Sequence, residues 1–109
     1  MQINSSTQSG WTVLTLTGKI DNAGADELKA ALAPHLTGGA LALDFAGVEY
    51  VTSSGFRVLL QAFKDLRAAG GQMILGNMSP ALRGFFDMAG LSTVFKITHD
   101  IRTVIDQAP

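Results

Sequence analysis

The sequence predicts an α/β fold: a mostly parallel β-sheet with an antiparallel N-terminal edge strand and about four helices. Two observations carry this expectation. Short runs rich in β-branched or alternating apolar residues are separated by longer segments whose apolar residues recur at helical spacing. Glycine breaks, several of them Gly-Gly or Ser-Gly pairs, fall where one kind of segment gives way to the other. The order reads β-β-α-β-α-β-α-β-α. Strands alternating with helices imply right-handed crossovers and parallel pairing, whereas the first two strands, joined by a tight turn, pair antiparallel.

Residues 11–17 (Trp-Thr-Val-Leu-Thr-Leu-Thr) form the clearest strand, preceded by a weaker one over residues 2–7, with Ser9-Gly10 as the hairpin turn and Gly18 as the end. From Ala25 to about Leu36, the spacing Leu28, Leu32, Leu36 defines an apolar helix face, with Asp26 and Glu27 in the first turn. Pro34 should kink or finish that helix, because it lacks the N–H for the ladder. After Gly38-Gly39, the alternation Leu41, Leu43, Phe45 marks a strand with one strongly buried face, interrupted on the other by Asp44. Residues 56–67 place Phe56, Leu59, Leu60, Phe63 and Leu66 opposite Arg57, Gln61, Lys64 and Asp65, the strongest amphipathic helix of the chain. Met73-Ile74-Leu75 reads as a short buried strand. Ser79-Pro80 opens a helix with a capping hydroxyl and a first-position proline; Leu82, Phe85, Phe86 and Ala89 should form its inner face, and Gly90 its stop. Phe85-Phe86 also admits a partner-docking reading. Residues 94–97 form the last strand, and Ile101, Val104 and Ile105 mark a short final helix.

Composition excludes several functions. A chain of 109 residues suits one domain spanning 1–109, with no repeat or linker. Its net charge of −1 provides no overall basic field for nucleic acid or anionic lipid, and its basic residues are scattered singly without an aromatic platform. No cysteine is present, which removes disulfides, thiolate metal sites and cysteine nucleophiles. The N-terminus has no basic stretch leading into an apolar one, and no apolar run approaches the ~18 residues of a membrane span, so a cytoplasmic protein without signal peptide is expected.

Open α/β sheets place their sites where strands run into helices. Three such connections stand out: Gly18 to Asn22, Val51 to Gly55, and Gly76 to Ser79. The middle one presents three consecutive hydroxyl residues, Thr52-Ser53-Ser54, at the start of the strongest helix. N-capping accounts for one of them. Catalysis finds little support: no glycine lies two positions before Ser53 or Ser54 as a nucleophile elbow requires, and His35 and His99 lie far from the loop and read as surface residues. Neither a phosphate-binding glycine loop nor a metal-ligand spacing is present, and no cofactor is expected.

The stretch from Asp44 through Val51-Thr52-Ser53-Ser54-Gly55-Phe56-Arg57 to Leu60 resembles the signature of the STAS family, the anti-sigma factor antagonists. The Gly18-Lys19-Ile20-Asp21 turn, the Gly71–Gly76 strand and the segment from Ala89 to Phe95 resemble it as well, in order along the chain. The resemblance implies a partner-switching regulator and not an enzyme. Such proteins bind an anti-sigma factor that is also a serine protein kinase with a histidine-kinase-like ATPase fold, and so release a sigma factor. Phosphorylation breaks the complex, and a PP2C-type phosphatase reverses it. Aligned on Gly55, the phosphoacceptor falls on Ser53, with Thr52 as a second candidate; many family members have Asp where this chain has Thr52. Asp21, Asn22, Thr52, Ser54, Gly55 and Arg57 are then expected to support the loop or meet the partner, with helix capping as the plain alternative for Asp21. Asp44 either anchors the loop's amides or ends its strand. Two other functions compete: a stand-alone interaction subunit for a target such as an ABC-transporter ATPase, and a small serine hydrolase using Ser53-Ser54.

Overall fold

The computed structural model describes residues 1–109. Ser9 and Gly10 both take positive φ (52° and 90°), as a two-residue hairpin turn requires, so β1 (Gln2–Gln8) pairs antiparallel with β2 (Trp11–Ile20), with Gln8 opposite Trp11. Every later pairing is parallel: β2 with β3 (Ala40–Val51), β3 with β4 (Gln72–Gly76), and β4 with β5 (Lys96–Thr98). The five strands lie in the order β1-β2-β3-β4-β5. The crossovers carry α1 (Asn22–Leu32), α2 (Ser53–Ala68) and α3 (Pro80–Met88), and α4 (Arg102–Ile105) follows β5.

Strand alternation divides the core into two layers. Leu14, Leu16, Leu41, Leu43, Phe45, Met73 and Leu75 face one side, where they pack against Leu28 and Leu32 of α1, Leu59 and Leu66 of α2, and Leu82 and Phe86 of α3. Val13, Ala42 and Ile74 face the other side with Trp11, under Ile101 and Ile105. Phe86 meets Phe56 edge-on at 4.9 Å, and Phe45 and Phe95 edge-on at 6.0 and 6.1 Å, a contact type worth about 1 kcal/mol beyond burial. No helix is long and apolar enough to cross a membrane.

The predicted fold class, element order and antiparallel edge strand are those observed. Several boundaries differ. Gly18 does not end β2: at φ 114° it sits at a register shift, and the strand continues to pair through Ile20. The third strand likewise runs past Asp44 and Phe45 to Val51. After the irregularity opposite Thr15 and Thr17 its apolar alternation lapses, which hides the second half from a reading of periodicity. Pro34 ends α1 as expected, but at Leu32, and Ala33–His35 tighten into a 3-10 turn. The expected inner face of α3 is half right. Leu82 and Phe86 are buried, whereas Phe85 is 41% exposed and Ala89 is exposed, because nine helical residues present only one narrow stripe to the sheet. The last strand begins two residues later than expected, at Lys96, leaving Val94 outside the sheet.

Candidate functional site

The C-terminal ends of β2 and β3 finish together, with Ile20 opposite Val51 as the last rung. Beyond it, the carbonyl of Ile20 accepts two hydrogen bonds from Thr52: one from the backbone N–H at 2.9 Å and one from Oγ1 at 3.1 Å. That fastening brings the first turns of α1 and α2 side by side. Asp21 caps α1, its carboxylate accepting from the N–H of Gly24 at 2.8 Å. Two glycines let each helix start tight against the strand ends. A Cβ on Gly24 would fall 2.3 Å from the Lys19 carbonyl oxygen, and one on Gly55 would fall 2.6 Å from Ile20 Cγ2 and 2.7 Å from Val51 Cγ1.

The three adjacent hydroxyls have three different surroundings. Thr52 is half-buried and committed to Ile20; although it is the N-cap residue of α2, its side chain makes no capping bond. Ser54 Oγ donates to Asn22 Oδ1 at 2.7 Å and so ties α2 to α1. Ser53, the first residue of α2, is exposed, and its hydroxyl has no partner within the chain. The first turn of α2 contains no acidic residue, so the partial positive charge of its amides is not offset by a carboxylate of the helix itself. A shallow depression lined by Asp21, Asn22, Ala23 and Thr52 lies alongside. Arg57 is exposed one turn further along α2, where it borders the groove between α1 and α2.

The structure thus brings Asp21, Asn22, Thr52, Ser54 and Gly55 to one place at the end of the sheet, around Ser53. Of the two readings left open for Asp21, it fulfils the capping one. Asp44 lies inside β3, where its carboxylate accepts from the N–H of Ala46 at 2.9 Å; it neither ends the strand nor reaches the loop. The Gly76–Ser79 connection is committed elsewhere: Asn77 Oδ1 accepts from the N–H of Ile101 at 2.9 Å, and Ser79 caps α3 through the N–H of Leu82 at 3.1 Å. Sequence reasoning missed Ile20 and Gly24. Ile20 acts through its carbonyl, which no residue type reveals, and Gly24 acts through the absence of a Cβ.

The family described as STAS domain matches residues 2–106. The Bacillus subtilis anti-sigma-B factor antagonist is 33% identical over 86 residues, covering 78% of this chain and 79% of its own. BtrV of Bordetella bronchiseptica, a proposed anti-sigma factor antagonist, is 30% identical over 92 residues, covering 83% of this chain and 79% of its own. Among solved structures, the Bacillus cell fate determinant SpoIIAA in its phosphorylated form superposes with a TM-score of 0.68 at 21% identity, covering 94% of this chain and 96% of that one. The hydrolase reading falls with these matches, because the relatives are named as anti-sigma factor antagonists. With a family match over nearly its whole length, the chain belongs to the STAS domain family, among the anti-sigma factor antagonists, and is not an enzyme.

Proposed function

We propose that this chain is the phosphorylation-controlled member of a partner-switching pair, with Ser53 as the phosphoacceptor. The observation that carries the reading is the difference among the hydroxyls: Thr52 and Ser54 donate to Ile20 and Asn22, whereas Ser53 is exposed and free. The unmodified protein binds an anti-sigma factor that is also a serine kinase with a histidine-kinase-like ATPase fold, and a sigma factor is released in the cytoplasm. In the kinase step, Ser53 Oγ attacks the γ-phosphorus of ATP; the hydroxyl proton leaves and the bond to ADP breaks. A PP2C-type phosphatase hydrolyses the phosphoserine and restores binding.

Charge explains how so small a change acts so strongly. One phosphate moves the chain from −1 to about −3 and delivers the whole change to one helix start. The amides there tolerate the anion, so the modification leaves the fold intact. At a docked surface the same anion meets desolvation and like charge, a penalty of several kcal/mol and on the order of a thousandfold in affinity. Asp21, Asn22, Thr52, Ser54 and Gly55 hold the helix start in place for the partner.

Incubation with the kinase partner and ATP, followed by phosphopeptide mapping, tests the assignment. Phosphate is expected on Ser53 alone, lost in Ser53→Ala and retained in Ser54→Ala and Thr52→Val. Modification of Thr52 in its place would overturn the assignment. Co-purification with a transport ATPase, without any phosphorylation, would overturn the switch itself.

A further inference from the structure

We infer that Arg57 is the internal counter-ion of the modified serine: when Ser53 bears a phosphoryl group, the Arg57 guanidinium binds it across one turn of α2. The inference rests on Ser53 as acceptor and adds a residue that acts only in the modified state. Ser53 and Arg57 are four residues apart on one helix, both exposed. Side chains at that spacing stand over one another about 6 Å apart at Cβ, and an anion N-terminal to the cation is the favourable order because it also faces the positive helix end. A guanidinium offers a planar fork to phosphate oxygens, which a lysine cannot.

Arg57 is available for this task. The ion pairs of the chain join the N-terminal amine to Glu27, Arg83 to Asp87, and Arg102 to Asp100; Arg57 takes part in none. The acid nearest along its own helix face, Asp65, lies two turns on and accepts from Gln61 Nε2 at 2.9 Å. Instead, Arg57 borders the α1–α2 groove together with Lys29, over an apolar floor of Leu32, Val58 and Ala62. Other charged residues at this end of the molecule are Lys19 and Asp21 from the β2–α1 connection, Asp26 and Glu27 from α1 and Glu49 from β3; Asp21 is occupied by the Gly24 amide, Glu27 pairs with the N-terminal amine, and Asp26 forms no ion pair with Arg57. Modification therefore changes two charges at once. The phosphate appears, and the Arg57 cation that the unmodified surface presented beside the groove is neutralised.

The test places phosphoserine at position 53 of the full chain by genetic encoding and follows the phosphate by 31P NMR against pH. The second ionisation of a free phosphoserine lies near pH 6, and a cation alongside lowers it by favouring the dianion. Arg57→Gln is expected to raise it by roughly 0.3–0.7 pH unit in 0.1 M salt, the measure of one exposed ion pair. Arg57→Lys should recover part of the shift, and 1 M NaCl should shrink the difference between wild type and Arg57→Gln. Lys64→Gln serves as the control for general charge: eleven residues along the helix, or about 16 Å, put it beyond the screening length at 0.1 M salt. A phosphate that titrates no differently in Arg57→Gln than in Lys64→Gln overturns the inference. Because no kinase is used, failure here is separate from failure of Ser53 as acceptor, which the phosphopeptide map reads alone.

Discussion

A single atom decides much at this site. Gly55 lets α2 start against Ile20 and Val51, both buried, and a Cβ there would penetrate both side chains. Gly55→Ala gains about 1 kcal/mol of helix propensity and loses more to overpacking, about 1–3 kcal/mol. A net loss of stability is therefore expected, measured by urea denaturation with the fluorescence of Trp11, the only tryptophan of the chain, which is 2% exposed. A stabilising alanine would mean that the two strand ends give way to the added atom. Three hydroxyls in a row are legible as an anomaly in the sequence. Which of them is free is not, because the answer depends on the Ile20 carbonyl and the Asn22 amide, each 32 residues distant along the chain.

Helix starts carry the site's precision. Asp21 satisfies an orphan amide of α1, so Asp21→Ala should cost about 1 kcal/mol, and Asp21→Asn far less, in the same denaturation experiment. Ser79→Ala should cost a similar amount at α3 while leaving phosphorylation of Ser53 unchanged, since that cap lies in another connection. Both α1 and α2 begin three residues earlier than their apolar spacing predicts, at Asn22 and Ser53 rather than at Ala25 and Phe56. The reason is common to both. The first turns are Asn22-Ala23-Gly24 and Ser53-Ser54-Gly55, which pack through a buried glycine and carry no large apolar side chain, so periodicity detects only the turns that follow. Those turns, which surround Ser53, are the ones that amphipathic pattern does not reveal.

At the scale of the whole molecule, the alternation of strands and helices sets the architecture, and the short C-terminal helix closes it. Ile101 and Ile105 cover Val13, Ala42 and Ile74 on the sheet face that α1, α2 and α3 leave open. Ile105→Ala should therefore destabilise the chain by about 2–4 kcal/mol. Below the lowered melting temperature, phosphorylation of Ser53 should proceed as in wild type, because the two positions belong to different layers. Loss of phosphorylation in a folded Ile105→Ala protein would show that the two layers are coupled. The strand order also says what kind of site to expect. Doubly wound sheets hold small ligands in the crevice where strand order reverses, and here it never reverses.

That unbroken order bears on how the molecule is made. Chains leave the ribosome N-terminus first, and domains begin to organise in that direction. Here each new strand finds its neighbour already at the growing edge, and none must wait for a later segment to be inserted beside it. Everything that fixes Ser53, from Ile20 to the end of α2 at Ala68, emerges before β4 is synthesised. The segment that fixes Ser53 is thus made before β4 and β5, and the residues that follow supply these two strands and the two helices that complete the core.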